Sequence, residues 1–346
     1  KALKHYPSNI YYNIDLGILY RTMGNEEKSH KTFSDFLDRN KKNQFVMRTA
    51  AQYFMSKELT SYALQAYQYA RKHSGNKTTY ALELADIYRT LGQNDLMMDE
   101  YLTFGSLRPH NLRYVKNILQ NLLVEEEQIQ NFQQTLITKI QQNPNEKMFG
   151  ELLIWSNLQQ KDFYGAFVQA KAIDKRFEKN GNRVMDIGRI ALQNSAYDDA
   201  IVIFKYVVDN YAGSRNYITA RRNVIEAREG KVKNSFPVEN SALRALISDY
   251  QNLVDEVGLN ANTIEAYRSK ALLHAFYLDE KDSAITILEQ IIKTPRVNAQ
   301  TKSKSKIDLG DIYLLKEEPW EATLLYSQVE KANKDSRLGY EAKLKN

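Results

Sequence analysis

Apolar residues recur three and four apart along nearly the whole chain, as in NIDLGILYRTMG from Asn13 to Gly24 and SYALQAYQYARK from Ser61 to Lys72. That spacing puts them on one face of an α-helix of 3.6 residues per turn. A sheet would need runs of alternating Val, Ile and Thr bounded by turn pairs, and the chain has none. With 14 Gly and 6 Pro in 346 residues, helix breakers are also scarce. The pattern predicts an all-α protein.

A second, longer period overlies the first. Leu16-Gly17 with Tyr20, Ala50-Ala51 with Phe54, and Leu84-Ala85 with Tyr88 are one element repeated every 34 residues. Further along each repeat, Ser29, Ala63 and Met97 form one column, and Phe33, Tyr67 and Tyr101 another. The same columns return as Ile187-Gly188, Ala191, Ala200 and Phe204, and as Leu309-Gly310, Tyr313, Ala322 and Tyr326. Leu153, Ala166 and Ala170 fit more loosely, and Ala271, Ala275, Ala284 and Leu288 fit in part. From Ile118 to Ile140 only helical periodicity remains.

These columns resemble the tetratricopeptide-repeat (TPR) family, with its Leu-Gly/Ala at unit positions 7 and 8, aromatics at 11 and 24, Ala at 20 and 27, and Pro at 32. The resemblance implies a right-handed α-solenoid of stacked helix-turn-helix units. In such units, small residues at positions 8 and 20 let the paired helices approach, and the aromatics fill the space between neighbouring units. Units are expected to start near Ile10, Gln44, Thr78, Leu112, Lys147, Gly181, Glu265 and Ser303. Residues 1–214 then form an array of about six units, the fourth degenerate, preceded by the end of another. Residues 215–264 form an irregular enlarged unit with a loop from Gly230 to Ser241 around Pro237, and 265–346 hold two units and the start of a third. Pro7 and Pro109 fall on position 32, Pro144 and Pro295 within one residue of it, and Pro319 in the first turn of a second helix, all places that tolerate proline. Neither end has the polar character of a cap, so the chain is expected to be part of a longer solenoid.

Composition adds limits more than identity. Hydrophobic residues at 43% and charged residues at 26% are those of a folded protein, and no apolar run is long enough to cross a bilayer. The formal net charge of +6, spread over the chain, names no partner. Zero cysteines exclude disulfides, thiolate metal sites and cysteine nucleophiles.

Candidate catalytic chemistry is sparse. His5, His30, His73, His110 and His274 stand singly, without metal-ligand spacing. GNEEKS at Gly24–Ser29 lacks the second glycine and the Gly-Lys-Ser/Thr ending of a phosphate loop. Glu125, Glu126 and Glu127 point about 100° apart around a helix and do not converge as an acid-base pair. Asn76-Lys77-Thr78 is a sequon too short to carry weight. Arg215, Arg221, Arg222, Arg228, Lys231 and Lys233 lie near Tyr211 and Tyr217, a loosely nucleic-acid-like cluster diluted by Asp209, Glu226 and Glu229 and read as solvated helix surface. Trp320, after Pro319, is expected to pack at the start of its helix.

The family resemblance also implies where a ligand would lie. In TPR proteins, positions 2, 5, 9, 12 and 13 of the first helix face a concave groove. Here they are Tyr11, Ile14, Ile18 and Arg21; then Phe45, Arg48, Gln52 and Met55; then Leu82, Asp86 and Arg89. Further along come Met148, Glu151, Trp155 and Leu158, then Met185 and Arg189. The mixture suits an extended peptide or a partner helix. The Lys/Asn/Arg clamp with which a TPR subclass holds acidic chaperone tails is absent, its positions being Ile14, Ile18, Thr49, Thr79 and Glu83. The expected function is therefore a non-enzymatic protein-binding scaffold with no cofactor, no metal and no small-molecule substrate. The alternatives are a structural subunit of a permanent bacterial envelope complex, which the Lys- and Asn-rich composition resembles, and, ranked below it, an RNA-binding helical repeat. The same resemblance favours the bacterial envelope or periplasm over the cytoplasm.

Overall fold

Side-chain caps start several of the helices. Asn9, Asn25, Asn43 and Asn298 accept hydrogen bonds from the backbone N–H groups of Tyr12, Lys28, Val46 and Thr301, and Asp162 and Ser336 do the same for Gly165 and Gly339. Each supplies a partner to an N–H that the helix itself cannot pair.

First helices end in one recurring turn. The N–H groups of Asn25, Leu59, Gln93, Asp162, Ala196 and Glu318 donate to the carbonyls of Tyr20, Phe54, Tyr88, Asn157, Ala191 and Tyr313, each five residues back. This is a Schellman closure, and it puts the residue before each donor in the left-handed region. Gly24 and Gly92 occupy that place at φ of 74° and 70°, while Glu58, Lys161, Ser195 and Glu317 adopt it at 56–63°.

The computed structural model describes residues 2–178, 180–295 and 297–346. Among them the regular elements are helices, with no strand. The chain divides into two compact units, Lys1–Thr135 and Leu136–Asn346. In the first, after a short helix Ala2–His5, antiparallel pairs form from Ile10–Thr22 and Glu26–Asn40, Gln44–Ser56 and Thr60–His73, and Ala81–Thr90 and Asn94–Leu107. Asn111–Leu122 follows, and Glu126–Gln142 carries the chain across the division. In the second unit the pairs are Lys147–Gln159 and Phe163–Ile173, Asn182–Gln193 and Tyr197–Asn210, Tyr217–Lys233 and Asn240–Val257, Ile264–Tyr277 and Lys281–Lys293, and Ala299–Leu315 and Pro319–Ala332, with Arg337–Lys345 last.

The repeat columns are the core. Ala50, Ala51, Ala63, Ala191, Ala200 and Ala322 are fully buried. A Cβ on Gly17 would lie 2.2 Å from the Phe33 ring, and Cβ atoms on Gly188 and Gly310 would lie 2.6 Å from Phe204 and Tyr326. Position 8 thus receives the position-24 aromatic of its own pair. Phe33 also meets Phe54, at position 11 of the next unit, edge to face at 5.5 Å between centroids. One ring therefore seals both the helix pair and the joint to its neighbour. Second helices are tied as well: the Arg71 guanidinium donates to both carboxylate oxygens of Glu100 at 2.6 and 2.7 Å and to the Thr79 carbonyl at 2.7 Å.

Two expectations need correction. The loop expected from Gly230 to Ser241 is shorter, because helix Tyr217–Lys233 runs on to Lys233 and the next begins at Asn240. The surplus of the enlarged unit goes into helices of 17 and 18 residues. Val232 and Val238 hold the two ends by packing on a core of Ile225, Leu243, Leu246, Tyr250 and Leu253. Trp320 does not pack; it is 85% exposed, since its helix buries the face of Ala322, Tyr326 and Val329 and turns the first residues outward.

Candidate functional site

In residues 1–135 the expected groove positions fall on three successive first helices, Ile10–Thr22, Gln44–Ser56 and Ala81–Thr90. Phe45 is 68% exposed and Tyr11 47%, large values for aromatic residues on packed helices. Arg48, Gln52, Asp86 and Arg89 are exposed, and Ile18, Met55 and Leu82 are half-buried. The Tyr11 ring stands edge-on to Tyr53 at 4.9 Å, and the Tyr53 hydroxyl donates to Asp15 at 2.8 Å, which joins the first two of these helices at the surface. Arg89 pairs with Asp86 one turn away at 3.0 Å.

Ile14 is not a groove residue. It is fully buried, because the first helix turns Ile14 and Gly17 together toward its partner Glu26–Asn40. Met185 and Met148 are likewise buried by the packing of their helices. Trp155 is half-buried and lies with Met148, Glu151, Leu158, Met185 and Arg189 in the unit of residues 136–346, whereas the other expected residues belong to residues 1–135.

That second unit holds a cleft of about 730 Å³ whose walls come from three successive first helices, Asn182–Gln193, Tyr217–Lys233 and Ile264–Tyr277, and from Tyr197 and Tyr250 of two second helices. Charges of both signs line it: Arg189, Arg222 and Lys233 against Glu226, Glu229 and Glu265. Glu229 is held on two sides, accepting from the Tyr250 hydroxyl and pairing with Lys233. Burial, then the Glu229 charge beside it, push the Tyr250 phenol far above its ordinary range, so it stays a donor. Removal from water also raises the Glu226 carboxyl, opposed by Arg222 and reinforced by Glu229. Gly230 shapes one wall, since a Cβ there would lie 2.3 Å from the Tyr197 ring.

Sequence reasoning included Arg189 among groove residues but read Arg222, Glu226, Glu229 and Lys233 as solvated surface. They sit in the enlarged unit, where no repeat column sets the register. The one usable signal was Gly230, a glycine in an otherwise helical pattern, which marks close approach as readily as a loop. The basic cluster is in large part neutralised locally: Arg221 pairs with Glu256, Arg228 with Asp249 at 2.7 Å, Lys231 with Asp198 at 2.5 Å and Lys233 with Glu229.

Among the described residues no group of three His, Cys, Asp or Glu side chains could hold a metal ion, and no helix is long and apolar enough to cross a membrane.

No protein-family model matches the chain, and no curated protein sequence matches it. Solved structures similar to it include TTC0263, a thermophilic TPR protein in Thermus thermophilus, at 17% identity over 57% of this chain and 98% of that one, with a TM-score of 0.41. A tetratricopeptide repeat protein from Parabacteroides merdae is 13% identical over 87% of this chain and 98% of that one, with a TM-score of 0.37. The P58(IPK) TPR domain is 13% identical over 96% of each chain, with a TM-score of 0.32. The repeat itself is established within the chain, where the 34-residue columns become small-residue contacts with the aromatic of the paired helix. The chain is an all-α array of helix pairs with a tetratricopeptide-like 34-residue repeat. The cleft at Arg189, Arg222 and Glu226 lies among three of its first helices, with Tyr197 and Tyr250 reaching it from two second helices.

Proposed function

We propose that the chain is a non-enzymatic protein-binding scaffold that takes an extended peptide or partner helix along the faces of its first helices. The observation that carries this reading is the cleft of about 730 Å³ spanning three successive first helices, with donors and acceptors of both charges on its walls. Arg189 and Arg222 suit a partner's carboxylates or backbone carbonyls, and Glu226 suits its amides or cations. In residues 1–135, exposed Tyr11 and Phe45 supply apolar contact beside Arg48, Gln52, Asp86 and Arg89, with the half-buried Ile18, Met55 and Leu82 beneath.

The test is affinity purification from the cell that makes the protein, comparing wild type with Arg189→Ala/Arg222→Ala and with Arg48→Ala/Arg89→Ala. A charge-assisted hydrogen bond is worth roughly 1.5–3 kcal/mol, so at least one variant should lose specific partners by about tenfold while keeping its helical circular dichroism. Equal recovery by all three proteins would remove first-helix binding as the function.

A further inference from the structure

The polar groups on the walls of the first-helix cleft divide into those that have partners and those that do not. Arg189 pairs with Asp186 at 2.9 Å, Lys233 pairs with Glu229, and Glu265 pairs with Arg268 at 3.4 Å and accepts from the Thr301 hydroxyl at 2.9 Å. Of the charged residues on the walls this leaves Arg222 and Glu226, which make no ion pair among the described residues. Between them on helix Tyr217–Lys233 is Asn223, which also lines the cleft. Asn223 is only 4% exposed, yet its carboxamide makes no hydrogen bond among the described residues. Buried asparagines elsewhere in the fold are engaged: Asn13 donates to the Pro7 and Asn9 carbonyls, Asn111 to the Phe104 carbonyl, and Asn216 to the Asn180 carbonyl and the Asn182 side chain. A buried amide without a partner is unfavourable, and this one faces an open cleft, where a ligand can complete it.

The hydrogen-bonding capacity of Asn223 decides what that ligand presents. Arg222 only donates and an ionised Glu226 only accepts, whereas a carboxamide donates and accepts from one planar group. In an extended chain the N–H and C=O of one residue lie on the same side, as they do when paired residues of an antiparallel ladder exchange both bonds. One carboxamide can therefore take both. A helix offers nothing comparable, because its interior N–H and C=O groups are bonded to each other. Arg222 and Glu226, on either side of Asn223, suit the carbonyls and amides of neighbouring residues in the same way. We propose that Asn223 holds the main chain of an extended segment of a partner protein, so that the cleft selects an extended segment over a helix. The inference rests on the reading that the first-helix cleft binds protein, and it adds the conformation of what is bound.

Peptides of about ten residues are long enough to cross three helices spaced about 8–10 Å apart. Three labelled ones serve as probes: a neutral Thr/Val/Ser peptide that favours extended backbone, the same peptide N-methylated throughout, and a neutral Ala/Gln peptide locked as a helix by a hydrocarbon staple. The N-methylated peptide keeps its carbonyls and side chains but has no N–H. Fluorescence anisotropy with the whole chain should give the extended peptide a Kd below about 50 μM, and at least about tenfold weaker binding of the other two. Asn223→Leu, nearly isosteric, should weaken the extended peptide by about tenfold while the helical circular dichroism is kept. Changes made on the peptide cannot unfold the protein, so the N-methylated arm decides even if the variant folds poorly. Equal binding of the N-methylated peptide, or binding of the extended one unaffected by Asn223→Leu, would overturn the inference. A stapled helix that binds as well as the extended peptide, and that Arg189→Ala/Arg222→Ala weakens, would overturn it while keeping the cleft as a protein site. No binding by any of the three peptides at about 1 mM would also overturn it, and the affinity purification would still judge the cleft separately.

Discussion

Single side chains show where the array has no slack. Asp174 is fully buried and accepts from the Gly181 N–H at 2.8 Å and from the Tyr211 hydroxyl, which closes the end of its helix onto the next pair. Asp174→Ala strands those donors, and an unpaired buried group costs about 1–3 kcal/mol, so urea unfolding should show a loss of about 2 kcal/mol or more. Gly188 has a different constraint, the Phe204 ring lying where its Cβ would go. Gly188→Val should cost about 1–3 kcal/mol by overpacking, read by the same melt. Glu226 works in the opposite direction. Its folded pKa is raised chiefly by burial, so the unfolded chain gives up this proton at lower pH than the native one. Stability contributed by the protonated carboxyl is complete below the unfolded pKa and is lost as pH rises through the folded one. Glu226→Gln should therefore raise the melting temperature at pH 7 and leave it unchanged near pH 4, and a gain equal at both values would contradict the assignment.

Helix ends are where the element scale becomes visible. The left-handed residue after each first helix recurs at a 34-residue spacing, as Gly24, Glu58 and Gly92, and again as Lys161 and Ser195. The Schellman geometry demands it whichever side chain is present. Non-glycine residues in this region carry a steric cost of roughly 1–2 kcal/mol, part of which glycine would return as unfolded-chain entropy. Lys161→Gly should thus raise stability by about 0.5–1 kcal/mol in a chemical melt. A loss would mean that the Lys161 side chain makes a contact outweighing its backbone strain.

At the scale of the whole chain, stability should be carried by neighbour-to-neighbour contacts, which makes the connections between packed helices the first points of attack. Residues 234–239 join two long helices, and Phe236 in that stretch has no cover at all. Brief digestion with a broad-specificity protease, followed by mass spectrometry, should place the first cut within 234–239 and leave folded fragments on both sides. First cuts within Ala81–Thr90 or Ala299–Leu315 would show that the packed pairs are the weaker part.

Helix content and the 34-residue period were legible in the sequence because both are local: an apolar stripe requires only neighbours three and four away, and each pair of helices repeats the same small-against-aromatic contact. Gly17, Gly188 and Gly310 could be singled out for that reason. Surface positions could not be read to the same depth. A column number places Ile14 on the first helix, but only the packing of that helix decides that it is buried while Arg48, at the same position of the next unit, is exposed. The cleft at Arg222 and Glu226 lies along helix Tyr217–Lys233, where no repeat column was legible. Its shape is a residue of imperfect packing between whole helices, and a periodic pattern holds no information about the volume that such packing leaves unfilled.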